Sequence, residues 1–312
     1  MPFLSQTPPS GNPTAGSATD SLLAKTSRRD LLRIAALGGI VFASGLPGFR
    51  TARAAMDDFY FVQLSDLHWG FADPKVNPDT KASLEKAIAA VNAASPQPDF
   101  IVFTGDLTHM TKDPAERRKR MTEVKAMLGN LSTKNHIYLA GEHDAGGDRG
   151  AAFQEVFGKL SQSFDHKGFH FVALDNASDP KGAIGPDQLA WLAADLKAHD
   201  PATPLVVLAH RPLFDLKRDW DWFTPDSAEV VALLRPFKNV TVFYGHVHQE
   251  ITHPDGNITH ISARSAMYPL PAPGSQPKKA PLPWNPTAQD HGIGWRAVEA
   301  ANPVRFDDHP TA

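Results

Sequence analysis

The chain contains no cysteine. That absence removes disulfides, thiolate-held zinc, iron–sulfur clusters and thiol nucleophiles from consideration together. Charge of one sign is also lacking: the formal net charge is −3, so no global basic field points to a nucleic-acid partner. The apolar run from Ile34 to Leu46 falls well short of the ~20 residues that span a bilayer, and no stable membrane span is expected in the mature protein. What the chain does have is histidine, 14 in 312 residues, and imidazole is the commonest metal-ligand side chain. The length allows one large domain or two modest ones.

Residues 1–26 are rich in Pro, Gly, Ser and Thr and hold too few large apolar side chains to pack. Ser27-Arg28-Arg29-Asp30-Leu31-Leu32-Arg33 follows, then the apolar run, then Ala52-Arg53-Ala54 before Ala55. A charged n-region, a short h-region and a small-x-small site form an export signal. The paired arginines resemble a twin-arginine signal, with Leu31 where phenylalanine is commonest. The other reading is an unstructured tail ahead of a buried helix. The export reading divides the chain into 1–54, signal and N-terminal region, and 55–312, the folded domain. It implies a periplasmic or secreted protein whose precursor meets the twin-arginine export machinery.

From Phe59 onward, strand-like runs alternate with helical patterns, which predicts an α/β or mixed layered fold. Asp79 or Thr80 caps a helix with Leu84, Ile88 and Val91 on one face, and Pro114 opens another with Met121, Val124 and Leu128. The run Arg117-Arg118-Lys119-Arg120 reads as the solvated side of that second helix, with a phosphate-binding patch as the alternative. Pro186 opens a third helix, and Ala228 to Leu234 form a shorter one. Asn257 to Ala263 and Gly294 to Glu299 read as late strands, and the last dozen residues as frayed. Residues 269–287 carry seven prolines and form an extended loop or lid.

Five of the strand-like runs stop at metal-ligand residue types. Phe59 to Leu64 leads into Asp66 and His68, Phe100 to Phe103 into Gly105-Asp106, and Ile137 to Leu139 into Gly141-Glu142-His143-Asp144. Leu205 to Leu208 leads into His210, and Val240 to Phe243 into Gly245-His246-Val247-His248. Neighbouring parallel strands deliver their carboxyl ends to one sheet edge, where ligands of open α/β folds bind. A cluster of carboxylates and imidazoles gathered there suits a pair of hydrolytic metals. Hard oxygen and borderline imidazole donors fit Fe, Mn or Zn, as two divalent or mixed-valence ions.

In this order, the motifs resemble the calcineurin-like metallophosphoesterase superfamily, whose pattern runs D-x-H, G-D, G-N-H-D/E, H, G-H-x-H. The likeness extends from about Phe59 to Glu299, and Gln188-Leu189-Ala190-Trp191-Leu192 matches the family's Gln-Leu-x-Trp-Leu helix. The resemblance implies a four-layer α/β/β/α sandwich of two mixed sheets with a dinuclear centre at the strand carboxyl ends. It places Asp66, His68 and His248 on one metal, His210 and His246 on the other, and Asp106 between them. It implies a metal-bridging hydroxide as nucleophile, His143 as proton donor to the leaving oxygen, and Asp144 hydrogen-bonded to the far nitrogen of His143.

One position departs from the family pattern: Glu142 stands where the family has asparagine. The carboxylate either ligates the second metal, swings out, or leaves a site that binds metal with poor turnover. Two functions follow: an exported phosphoesterase acting on small phosphomono- or phosphodiesters, or a catalytically impaired metal- or partner-binding protein on the same scaffold. His109 is a candidate substrate contact or a backbone-bonded loop residue, and Arg264 is a candidate contact to the substrate phosphate. Asp175 and Asn176 fall where they can support the ligands from behind. Trp69, Trp220 and Trp222 either wall the cleft or pack. His170 reads as packed or solvent-facing, and His253, His260 and His291 have no spacing that compels a role.

Overall fold

The computed structural model describes residues 59–288, 292–300 and 304–311. The proposed signal at 1–54 and His291 lie outside the described residues. Among these residues no helix is long and apolar enough to cross a membrane.

Two β-sheets form the centre. In the first, β1 (Phe59–Leu64), β2 (Phe100–Thr104) and β3 (His136–Leu139) run parallel, and β10 (Gly294–Ala300) and β11 (Arg305–Pro310) extend it antiparallel in the order β11-β10-β1-β2-β3. In the second, β5 (Phe169–Ala173), β6 (Leu205–Leu208), β7 (Val240–Tyr244) and β9 (Ile258–Ser262) run parallel. The antiparallel strands β4 (Gln162–His166) and β8 (Thr252–Asp255) close its two edges.

Strand alternation decides the layers. Phe59, Phe61, Phe100 and Val102 point from the first sheet into a shared interior, where they meet Phe169, Phe171, Val206, Leu208 and Phe243 of the second. The opposite face of the first sheet, with Val62, Leu64, Ile101 and Phe103, is covered by α1 (Thr80–Asn92) and α2 (Pro114–Leu128). Leu84, Ile88 and Val91 of α1 and Met121, Val124 and Leu128 of α2 supply the stripe that the helical spacing predicts. Val172, Val207 and Val242 on the outer face of the second sheet pack on α5 (Pro186–Lys197) and α6 (Ser227–Leu234). The order is therefore helix, sheet, sheet, helix, as expected. Buried on both faces, these parallel strands read as near-continuous apolar runs.

Helix ends follow local chemistry. The Asp79 and Asp113 carboxylates accept backbone N–H bonds from Ala82 and Ala115, capping α1 and α2. Gly129 closes α2. Between β3 and β4 the chain adds α3 (Glu142–Ala145) and α4 (Ala151–Phe157), too short to carry a periodic signal. The C-terminal residues expected to fray instead form β11, six residues on a sheet edge. Its mostly polar sequence, Arg305-Phe306-Asp307-Asp308-His309, hides the strand, and Arg296 secures it through Asp308 at 2.6 Å. The strand β4 is likewise unexpected, because Gln162-Ser163-Phe164-Asp165-His166 is mostly polar.

Candidate metal centre

All five motif-bearing strands, β1, β2, β3, β6 and β7, present their carboxyl ends to one edge of the sandwich. The turns that leave them are tight. Asp66, His68, Asp106, His246 and His248 have φ of 54°, 42°, 50°, 65° and 54°, a region that non-glycine residues seldom enter. Such conformations concentrate at functional sites and persist only where surrounding contacts impose them. Here the contacts are identifiable. The Asp66 and His68 N–H groups donate to the Gly105 and Asp106 carbonyls at 3.0 and 2.9 Å, and Gly245 N donates to the His210 carbonyl at 3.0 Å. Gly245 and Gly141 admit no side chain: a Cβ would lie 2.2 Å from Ser65 Oγ in the first case and 2.0 Å from Asp106 Oδ1 in the second.

The turns create two donor groups. Asp66, His68 and His248 form one; Asp106, Glu142, His210 and His246 form the other, each with its donor atoms within 4.8 Å of one another. Asp106 Oδ2 lies 3.6 Å from His68 Nε2 and 3.6 Å from His210 Nε2, so one carboxylate oxygen faces both groups. Within the first group His68 Nε2 and His248 Nε2 are 3.2 Å apart, and His248 Nε2 is 3.3 Å from Asp66 Oδ1. Within the second, Glu142 Oε2 lies 2.8 Å from His210 Nε2 and 3.1 Å from His246 Nδ1. All but Glu142 are buried.

These donors fit a pair of cations, and the outer contacts show why. His210 Nδ1 lies 2.7 Å from the Thr104 carbonyl, His248 Nδ1 2.7 Å from the Tyr268 carbonyl, and His246 Nε2 2.9 Å from the Asp221 carbonyl. A carbonyl only accepts, so each ring donates outward and turns its lone pair inward, as metal-ligating histidines do. Asp66 is fixed by His246 N at 3.1 Å to each carboxylate oxygen and by Ser65 Oγ at 2.5 Å. Burial holds the His68 imidazole well below its usual pKa against the opposing pull of Asp106, and it lowers His246 against Glu142. Burial alone would raise the Glu142 carboxyl, but His246 and His210 hold it well below the usual range. For His210, the burial penalty is outweighed by Asp106 and Glu142, which raise it. Those carboxylates draw positive charge to that spot, and a cation supplies it as a proton does.

Glu142, the departure from the family pattern, is thus turned into the donor group rather than away from it. Its added negative charge is opposed by Arg211, a buried guanidinium whose Nη2 is 4.0 Å from Glu142 Oε2.

His143 sits at the mouth of the centre, with Nε2 4.0 Å from Asp106 Oδ2. Its Nδ1 accepts the Met110 N–H at 3.0 Å, which in the neutral ring leaves the proton on Nε2, facing the centre. Here the structure corrects the expected role of Asp144. Its carboxylate is not on His143: it accepts from Leu107 N, Thr108 N, Thr108 Oγ1 and Gly141 N at 2.8–3.0 Å. Four donors tie up Asp144, so it braces the two loops that carry Asp106 and Glu142. Burial and the Asp106 charge nonetheless push its pKa up to about 6, against those bonds.

The Arg264 guanidinium pairs with Glu250. His109 does reach the centre: its Nδ1 is 3.4 Å from His68 Nδ1 and its ring lies 4.9 Å from that of His143, with burial and the His143 charge pulling its pKa down to about 4. The basic run divides. Arg118 and Lys119 are solvent-facing and pair with Glu155 and Glu116, whereas Arg117 is buried and Arg120 donates to the His109 carbonyl at 2.9 Å. Asn176 supports His210 from behind, accepting its N–H at 3.1 Å; Asp175 caps its own turn at Ala177 and Ser178 instead. Trp220 and Trp222 pack with Tyr244 and Val247, and Trp69 donates to Glu123. His170 is packed, between Asp165 and Asp195.

Two contributors escaped the sequence reading. Tyr268 stacks on His68 with centroids 4.8 Å apart and orients His248 through its carbonyl, and nothing in Met267-Tyr268-Pro269 signals it. Arg211 follows His210 directly, and its adjacency to a ligand was a usable sign. Arg211, Arg117, Glu142 and His143 line a cleft of 470 Å³.

Comparison with known proteins agrees with this fold. A family model described as Calcineurin-like phosphoesterase matches residues 59–250. A probable cyclic nucleotide phosphodiesterase of Rhodococcus erythropolis is 24% identical over 240 residues, covering 70% of this chain and 74% of the relative. The serine/threonine-protein phosphatase CPPED1 of Bos taurus is 25% identical over 217 residues, covering 61% and 69%. A dimetal phosphatase from Danio rerio superposes with a TM-score of 0.57 at 13% identity, over 81% of this chain and 96% of that one, a likeness of fold.

Gly245→Ala should weaken metal binding about 10- to 100-fold, because the new methyl displaces Ser65 and Asp66. Metal content after dialysis against graded chelator measures it; retention equal to the parent protein contradicts the role given to this turn.

Proposed function

We propose that this chain, which belongs to the calcineurin-like phosphoesterase family, is a metal-dependent hydrolase of small phosphate esters. The observation that carries the reading is the shared position of Asp106 Oδ2, 3.6 Å from an imidazole of each donor group. Asp66, His68 and His248 would hold one cation, Glu142, His210 and His246 the other, and Asp106 both; the donors suit Fe, Mn or Zn. Such a pair supplies Lewis acidity that activates water for attack on phosphorus and offsets charge on the phosphoryl oxygens.

The protein's own groups do the rest. His143 presents Nε2–H to the leaving oxygen and stabilises the charge that builds there as its bond to phosphorus breaks. Its Nδ1 is occupied by the Met110 N–H, so the ring acts first as a hydrogen-bond donor. Asp144 keeps the Asp106 and Glu142 loops in register through its four bonds. Tyr268 stacks on His68 and Phe71 packs behind Tyr268, which limits water access to that side. The placement of Glu142 within the donor group supports turnover over the binding-only alternative.

Metal-loaded protein is expected to hydrolyse 4-nitrophenyl phosphate or its diester, and His143→Gln to lower kcat by about 10²- to 10⁴-fold with metal content unchanged. The loss should grow as the leaving group becomes a poorer one. Failure of the protein to hydrolyse either ester under any metal loading contradicts the reading.

We further propose that residues 1–54 direct export by the twin-arginine route and are removed, placing the mature protein in the periplasm or outside the cell. The support is the order Arg28-Arg29, apolar run, Ala52-Arg53-Ala54. Mass spectrometry of the exported protein should find Ala55 at the amino terminus; an uncleaved cytoplasmic chain contradicts it.

A further inference from the structure

Arg211 is placed with the care given to a ligand, yet it ligates nothing. Its backbone N–H, like that of His210, donates to Asn176 Oδ1 at 3.1 Å, and its carbonyl accepts Asn176 Nδ2 at 2.9 Å. The side chain then runs inward and is only 6% exposed. One nitrogen of the guanidinium is anchored: Nη1 lies 2.7 Å from Asp221 Oδ2 and donates to the Asp221 carbonyl at 3.1 Å. That same carbonyl orients His246, so one residue sets both the ligand and the arginine.

The other edge of the guanidinium has a different fate. Nε is buried and has no hydrogen-bond partner. Nη2 reaches Glu142 Oε2 only at 4.0 Å, beyond hydrogen-bond distance. Nε–H and Nη2–H point the same way and form the fork that receives two oxygens of one oxyanion. Burying such an edge unpaired opposes folding, and unpaired buried donors are rare enough to need an explanation. The chain even makes room for it: a Cβ on Gly182, whose φ is +71°, would lie 2.9 Å from Nε. Arg211 also lines the 470 Å³ cleft with Glu142 and His143, so the fork stands beside the groups that face the reacting phosphorus.

We propose that the Nε–Nη2 edge of Arg211 receives the phosphoryl group of the substrate and selects phosphomonoesters over phosphodiesters. This rests on the hydrolase reading above and deepens it. A monoester has three non-bridging oxygens and, near neutral pH, two negative charges. A diester has two such oxygens and one charge, and the metal centre draws on both. Only the monoester has an oxygen to spare for a second clamp and the extra charge to reward it. Glu142, one charge more acidic than the family's asparagine, makes that cation more necessary: without it a dianion would meet one more opposing negative charge.

The test uses the full metal-loaded protein, Arg211→Lys and Arg211→Gln. The lysine keeps the charge and removes the fork. Equilibrium dialysis with inorganic phosphate reads binding without turnover, and 4-nitrophenyl phosphate against bis(4-nitrophenyl) phosphate reads selection. Both substitutions should weaken phosphate binding and lower kcat/KM for the monoester by about 10- to 100-fold, as expected for loss of charge-assisted bonds. Turnover of the diester should fall at least about tenfold less than that of the monoester. Equal losses on both esters, or unchanged phosphate binding, overturn the proposal while leaving the hydrolase reading intact. If the parent hydrolyses neither ester, the hydrolase reading falls instead. Should both variants fail to fold, the parent decides alone: a preference for the diester overturns the clamp.

Discussion

Asp106 Oδ2 stands 3.6 Å from His68 Nε2, delivered by the first sheet, and 3.6 Å from His210 Nε2, delivered by the second. That one contact requires both sheets to end at the same level, with their strands parallel and their carboxyl ends together. Much of the surrounding structure meets this requirement. The His210 ring crosses to the Thr104 carbonyl, His246 N crosses to the Asp66 carboxylate, and Gln63 Nε2 crosses to the Tyr244 carbonyl at 3.2 Å. The apolar interior between the sheets aligns them coarsely, and these polar bonds set the alignment at the scale of an ångström. Packing of this density resists gradual sliding, which sets the spacing of the donor atoms.

The cost of this arrangement is visible in the backbone and in the electrostatics. Five ligand residues adopt positive φ, and three carboxylates are gathered at one end of the molecule. Neither would persist without compensation. Glycines at 141 and 245 allow the close approach of neighbouring turns, and Asp144 ties the loops after β2 and β3 with four hydrogen bonds. Glu142 adds a charge that the family pattern lacks, and Arg211 stands 4.0 Å away, buried, to balance it. The departure and its neighbour are best understood as a pair.

The ligands are legible because their individually weak signals recur in order at strand ends and obey one topological rule. An apolar run ending in Asp66-x-His68 or Gly245-His246-Val247-His248 marks a strand end, and parallel pairing brings strand ends together. The alternation of strands and helices predicts a layered α/β fold, and the family resemblance supplies the four-layer order. What stayed hidden depends on contacts far apart in sequence. Asp144 looked like the partner of its neighbour His143, but the turn of α3 directs its carboxylate to residues 107 and 108. Arg117 sits in a run that reads as solvated, and the space beside Gly147 takes it inward. The strands β4 and β11 escaped because edge strands tolerate polar side chains, which erases the period of two.

The central claim is that two cations share Asp106. Anomalous diffraction from crystals of the zinc- or manganese-loaded protein tests it most directly. The account predicts two peaks, one among Asp66, His68 and His248 and one among Glu142, His210 and His246, both in contact with Asp106. A single peak, or metal bound elsewhere with these side chains left unligated, would contradict it.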